Sequence, residues 1–165
     1  MQQVDKYLAQ YSEQVRNQVK ALIENGKLSS YLTDKYATSH KVTNDGELRD
    51  YVQQIKNRYI KMSAPLSKIV FDSKLHVIKN ALGTHSYVNR VQGSKIKSKN
   101  EIRISSLFKK APADFLNMIV VHELAHLKEK DHNKSFYQLC MHMLPDYHQL
   151  EFDFRLYLIE KDLKP

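Results

Sequence analysis

The chain has 165 residues, 42% of them apolar, and a formal net charge of +8 at pH 7. That length and composition suit one domain, or one domain with a helical extension, burying a core of its own. The apolar run Met118 to Val121 is far too short to cross a bilayer, and the opening Met-Gln-Gln-Val-Asp-Lys lacks the charged-then-apolar pattern of a secretory signal. With Cys140 as the lone cysteine, an internal disulfide framework is excluded, and a cytoplasmic protein with no membrane partner is expected.

Glycine and proline are scarce, which favours helix and short loops. From Ser12 to Glu24, Val15, Val19, Leu22 and Ile23 recur at helical spacing, with Gly26 as a stop. A shorter helix is predicted over Leu28 to Tyr36. Asn44 stands three residues before Glu47, a capping-box arrangement ahead of Leu48, Tyr51, Val52, Ile55 and Tyr59. Residues 1–61 therefore read as a helical N-terminal region and residues 62–165 as a second domain.

Ser63-Ala64-Pro65 breaks the helical period. Lys68 to Phe71, Leu75 to Ile78, Tyr87 to Val91 and Glu101 to Ser105 are short and rich in β-branched or aromatic residues, with Gly83 and Gly93 as turns. Glu101 to Ser105 alternates polar and apolar, as a half-exposed strand does. An α+β fold with a small twisted, mostly antiparallel sheet is expected. Pro112 suits the start of the next helix, since its missing N–H would be unpaired there anyway. This helix is apolar nearly all round, so it should be buried, and it is predicted to run to about Lys130 or Asp131. Two more helices are expected, at Lys134 to Met143 and at Asp146 to Lys161.

The charge is uneven. Between Lys61 and Lys110 there are eleven Lys and Arg against Asp72 and Glu101. Such a stretch fits contact with nucleic acid, a nucleotide phosphate or an acidic protein, or a solvated lysine-rich surface.

The chemistry centres on His122-Glu123-Leu124-Ala125-His126. Histidines four apart on a helix share one face and can hold one metal ion. The intervening Glu123 can reach a water on that metal without ligating it. Zinc lowers the pKa of such a water to about 7, and Glu123 can take its proton. A catalytic zinc commonly has three protein ligands. His132, six residues on and flanked by the turn-formers Asp131 and Asn133, is the expected third, with His142, His148 and Glu151 as competitors. His40, His76 and His85 show no ligand spacing and read as structural or surface residues.

The run Val121 to Leu127, then His132-Asn133-Lys134-Ser135-Phe136, then Pro145-Asp146-Tyr147, resembles the YgjP-like metallopeptidase family, which is related to the WLM and SprT-type zincin domains. The resemblance implies a minimal zincin-like fold with metal ligands at His122, His126 and His132 and a base at Glu123. It also implies an edge strand beside the zinc that can pair with an extended peptide, for which Glu101 to Ser105 is the candidate.

Three functions follow. The leading one is a zinc metallopeptidase acting on a peptide or protein, with Tyr147, His148 and Arg155 as candidate oxyanion donors. The second is a nucleoside triphosphate pyrophosphatase that uses the same single zinc against a phosphoanhydride. In it Arg90 and the run Lys95 to Lys99 hold phosphates; Arg90, Lys95, Lys97, Arg103 and Tyr147 are the candidate substrate-binding residues. The third is a nucleic-acid-associated protein with a structural zinc, which would need four protein ligands and no Glu123.

Overall fold

A computed structural model describes the backbone of residues 1–75, 83–92 and 95–164, and the side chains of residues 1–75 and 100–164. The fold is α+β. Two compact units divide it: Met1–Thr38 with His148–Pro165, and Ser39–Tyr147. The helix that precedes residue 61 falls in the second unit, with the sheet.

The first unit is helical, with α1 (Gln2–Tyr7), α2 (Glu13–Glu24), α3 (Leu28–Lys35) and all but the first residue of α7 (Tyr147–Leu163). α2 starts where expected: the Ser12 side chain accepts from the Val15 N–H at 3.2 Å. The chain leaves α2 through Gly26, whose φ of 67° is open to glycine at little cost. Asp153 is fully buried in this unit and is surrounded by donors. Tyr31 Oη donates at 3.0 Å, Gln149 Nε2 at 3.1 Å and Lys35 Nζ at 3.0 Å, with Tyr36 Oη also bonded. Several donors offset the cost of taking that carboxylate out of water.

The second unit holds α4 (Asp45–Tyr59), the strands β1 (Leu66–Asp72), β2 (Gly83–Gln92) and β3 (Lys95–Ser105), a 3-10 turn at Ser106–Lys109, α5 (Ala113–Ala125) and α6 (Lys134–Met143). Asn44 caps α4 as expected: its Oδ1 accepts from the Glu47 N–H at 2.9 Å, and Glu47 Oε1 reaches back past the cap to accept from the Thr43 N–H at 3.4 Å. α4 packs on β1, and α5 packs on β2, β3, α4 and α6.

The described strands form one sheet in the order β1-β3-β2. β2 and β3 pair antiparallel, from Gln92 opposite Lys95 to Gly83 opposite Ile104. β1 pairs parallel with β3, from Leu66 opposite Asn100 to Asp72 opposite Ser105. The sheet is therefore mixed, not mostly antiparallel. Tyr87 to Val91 falls inside β2, whereas residues 76–78 of the strand expected at Leu75 to Ile78 lie outside the described residues.

Two further expectations change. Glu101 to Ser105 is the central strand, with β1 on one side and β2 on the other. Glu101, Ile102, Ile104 and Ser105 are all buried, and only Arg103 is partly exposed. The alternation of residue types thus marked a central strand that carries two buried polar groups, not a half-exposed one. Second, α5 stops at Ala125 with His126 as its cap, five residues short of the predicted end. The chain then turns back, with the N–H groups of Lys128 and Glu129 both bonded to the Ala125 carbonyl. Among the described residues no helix is long and apolar enough to cross a membrane.

Candidate metal centre

α5 is apolar on all sides, and ten of its thirteen residues are buried: Phe115, Leu116 and Met118 through Ala125. That burial fixes the helix, and its C-terminal turn carries His122 and Glu123, with His126 at the cap. The turn from Leu127 to Asn133 then brings His132 back. Asn133 closes the turn by capping α6, its Oδ1 accepting from the Phe136 N–H at 2.9 Å.

The three imidazoles converge through their Nε2 atoms. His126 Nε2 lies 3.3 Å from His122 Nε2 and 3.1 Å from His132 Nε2. Among the described residues this is the one group of three or more His, Cys, Asp or Glu side chains placed to share an ion. Three nitrogens about 2.0–2.1 Å from a tetrahedral zinc stand roughly 3.3 Å apart, so the donor set and its spacing fit that ion. The far edges of two rings are engaged. His126 Nδ1 lies 2.9 Å from the Glu129 carbonyl oxygen, to which it donates, leaving the Nε2 lone pair free. His122 Nδ1 lies 2.6 Å from Tyr147 Oη. Phe136, fully buried in the first turn of α6, packs against all three rings at centroid distances of 5.0 Å (His122), 4.6 Å (His126) and 4.9 Å (His132).

Glu123 lies beside this group, with Oε1 4.0 Å from His122 Nε2. It is 1% exposed, and among the described residues its Oε2 has no hydrogen-bond partner. Burial pushes its carboxyl up from 4.5 to about 8. Burial also lowers the His126 imidazole, favouring the neutral ring that a metal needs.

Residues 1–155 match the family described as YgjP-like, metallopeptidase domain. The chain belongs to that family. A curated relative, named UTP pyrophosphatase, from Escherichia coli (strain K12), is 52% identical over 157 residues, which is 95% of this chain and 94% of the relative. No solved structure matches significantly. This member of the YgjP-like family is a hydrolase, as both the family description and the relative's name indicate.

The other candidates fall elsewhere. His142 packs edge-on to Tyr59 at 5.7 Å; neither it, His148 nor Glu151 is part of the convergent group. Arg155 is engaged within the helical unit, donating to the Tyr7 carbonyl at 3.1 Å and lying 3.6 Å from Glu151 Oε1. Arg103 lies 3.4 Å from Asp72 and 3.8 Å from Glu101. The side chains of Arg90, Lys95 and Lys97 lie outside the described residues; along the backbone, Arg90 pairs with Lys97, and Lys95 with Gln92. His40 bridges Phe108 and Val42 through its two ring nitrogens, while His76 and the His85 side chain are outside the described residues.

Sequence reading missed Phe136, the Glu129 carbonyl and the contact between Tyr147 and His122. Phe136 is four residues past His132, a spacing that offered a weak signal. Tyr147 is 25 residues from His122 along the chain, and no local pattern connects them.

Proposed function

We propose that this protein is a zinc-dependent hydrolase that cleaves a phosphoanhydride bond of a nucleoside triphosphate. It holds one zinc ion through His122, His126 and His132, and Glu123 is its base. The carrying observation is the convergence of three Nε2 atoms beside the buried Glu123 carboxyl, whose Oε2 has no hydrogen-bond partner among the described residues. Zinc there supplies a Lewis acid that polarises a phosphoryl oxygen and acidifies water, and its charge favours the Glu123 carboxylate.

Glu123 takes a proton from the attacking water as the new O–P bond forms. The bridging P–O bond between the α- and β-phosphates breaks, and pyrophosphate departs with the electron pair. At 1% exposure Glu123 is kept out of bulk water, so its proton stays at the site. The substrate choice is supported by the identity to a UTP pyrophosphatase along nearly the whole of both chains. A dense set of cations from residue 61 to residue 110 suits a polyanionic substrate.

The family description supports a second reading, a peptidase with the same zinc and base. Against it, β3, the strand suited by its sequence to receive a peptide, already has a neighbour on each side. A substrate panel separates the two. Zinc-loaded protein is incubated with UTP, the other nucleoside triphosphates, casein and peptide libraries. The expected outcome is UMP and pyrophosphate from UTP, lost in His126→Ala, with no peptide cleavage. Peptide cleavage lost in the same variant, without nucleotide turnover, would establish the peptidase instead.

A further inference from the structure

A metal site built on histidines depends on what holds the rings from behind, because a free imidazole rotates and exchanges its N–H between two nitrogens. His126 is held by the carbonyl of Glu129, in the same turn. His122 has a different partner, Tyr147, which begins α7 directly after the Pro145-Asp146 turn. The Tyr147 side chain is fully buried, and its hydroxyl oxygen lies 2.6 Å from His122 Nδ1. The two rings are nearly parallel, 22° apart, with centroids at 6.3 Å. Tyr137 of α6 packs on the Tyr147 ring at 6.2 Å, adding a lateral wall.

This geometry has a chemical consequence. With Nδ1–H donating to the hydroxyl oxygen, the proton of a neutral His122 resides on Nδ1. Its Nε2 lone pair then faces the point shared with His126 and His132. The other tautomer would place an N–H there and block that point. The hydroxyl also has no direct path to the shared point, because the whole width of the imidazole lies between them. Tyr147 is thus badly placed to donate to an oxyanion and well placed to aim a ligand.

We infer that Tyr147 is a positioning residue for the metal site, acting through Nδ1 of His122. This rests on the reading of the three histidines as a zinc site. Partners that hold a ligating histidine from behind are typically worth ten- to a hundredfold in metal affinity. Tyr147→Phe keeps the ring and removes the one oxygen, so it isolates this contact.

The test is zinc affinity by chelator competition on the full chain, for wild type, Tyr147→Phe and His126→Ala. A readout that simple packing would not move accompanies it: the proton resonance of His122 Nδ1–H in zinc-loaded protein. The expected result is one zinc per wild-type chain, loss of that zinc in His126→Ala, and a ten- to a hundredfold weaker affinity in Tyr147→Phe. The His122 Nδ1–H resonance should lie far downfield in wild type and move upfield in the variant. Equal affinity and an unmoved resonance would overturn the inference while leaving the zinc site standing. A wild-type chain that binds no zinc would overturn the site and the inference together. Should Tyr147→Phe fail to fold, the wild type decides alone. A downfield His122 Nδ1–H that shows proximity to the Tyr147 ring supports the inference; one in free exchange with water overturns it.

Discussion

At the scale of single residues, the burial of Glu123 has a consequence in the metal-free protein. Its folded pKa is raised to about 8 from 4.5. Between those two values the folded chain holds a proton that the unfolded chain has released. Stability must then fall as pH rises from about 5 to 8. His126 works the other way at the acid end: its lowered pKa makes the folded chain bind fewer protons there, so stability rises with pH up to its unfolded value. The difference between wild type and Glu123→Gln isolates the carboxyl. Thermal melts of the two metal-free proteins should diverge with rising pH, with the wild type losing stability relative to the variant. Parallel curves would mean that Glu123 is hydrated. The positions of His122, Glu123 and His126 were legible because helical spacing alone places them. What holds their rings was not, because Tyr147 and Phe136 act through tertiary contacts that have no period in the sequence.

At the scale of elements, the site depends on where α5 stops and α6 starts. Sequence reading carried α5 on to Lys130 or Asp131, because Leu127 continues the apolar pattern and no glycine or proline intervenes. The chain instead turns after Ala125, and the His126 bond to the Glu129 carbonyl holds that turn. The start of α6 was read correctly, since Asn133 is a good cap and caps act locally. Asn133→Ala should cost about 1 kcal/mol in urea unfolding, and it should weaken zinc binding because His132 is the residue before the cap. A loss of stability with zinc affinity unchanged would show that His132 does not depend on the cap. The strands expected at Lys68 to Phe71, Tyr87 to Val91 and Glu101 to Ser105 were found, but not their order. Alternation in Glu101 to Ser105 says which residues face together, and it is silent about a partner on each side. A parallel neighbour such as β1 leaves no turn signal, because the two strands are not consecutive.

At the scale of the whole molecule, the net charge of +8 and its concentration between residues 61 and 110 concern association rather than fold. Raising salt from about 0.1 M to 1 M shortens the screening length from about 10 Å to 3 Å. If those cations gather a nucleoside triphosphate, kcat/KM for UTP should fall several-fold over that range while kcat changes little. A kcat/KM indifferent to salt would assign the charge to solubility. The class of reaction was readable from five consecutive residues, but the substrate was not, because a metal-activated water attacks phosphorus or carbon alike. The central claim, that Glu123 is the base beside a zinc held by three histidines, is tested most directly by UTP turnover in wild type and Glu123→Gln at equal zinc occupancy. The account predicts unchanged zinc content and a loss in kcat of about a hundredfold or more; equal turnover by the two proteins would contradict it.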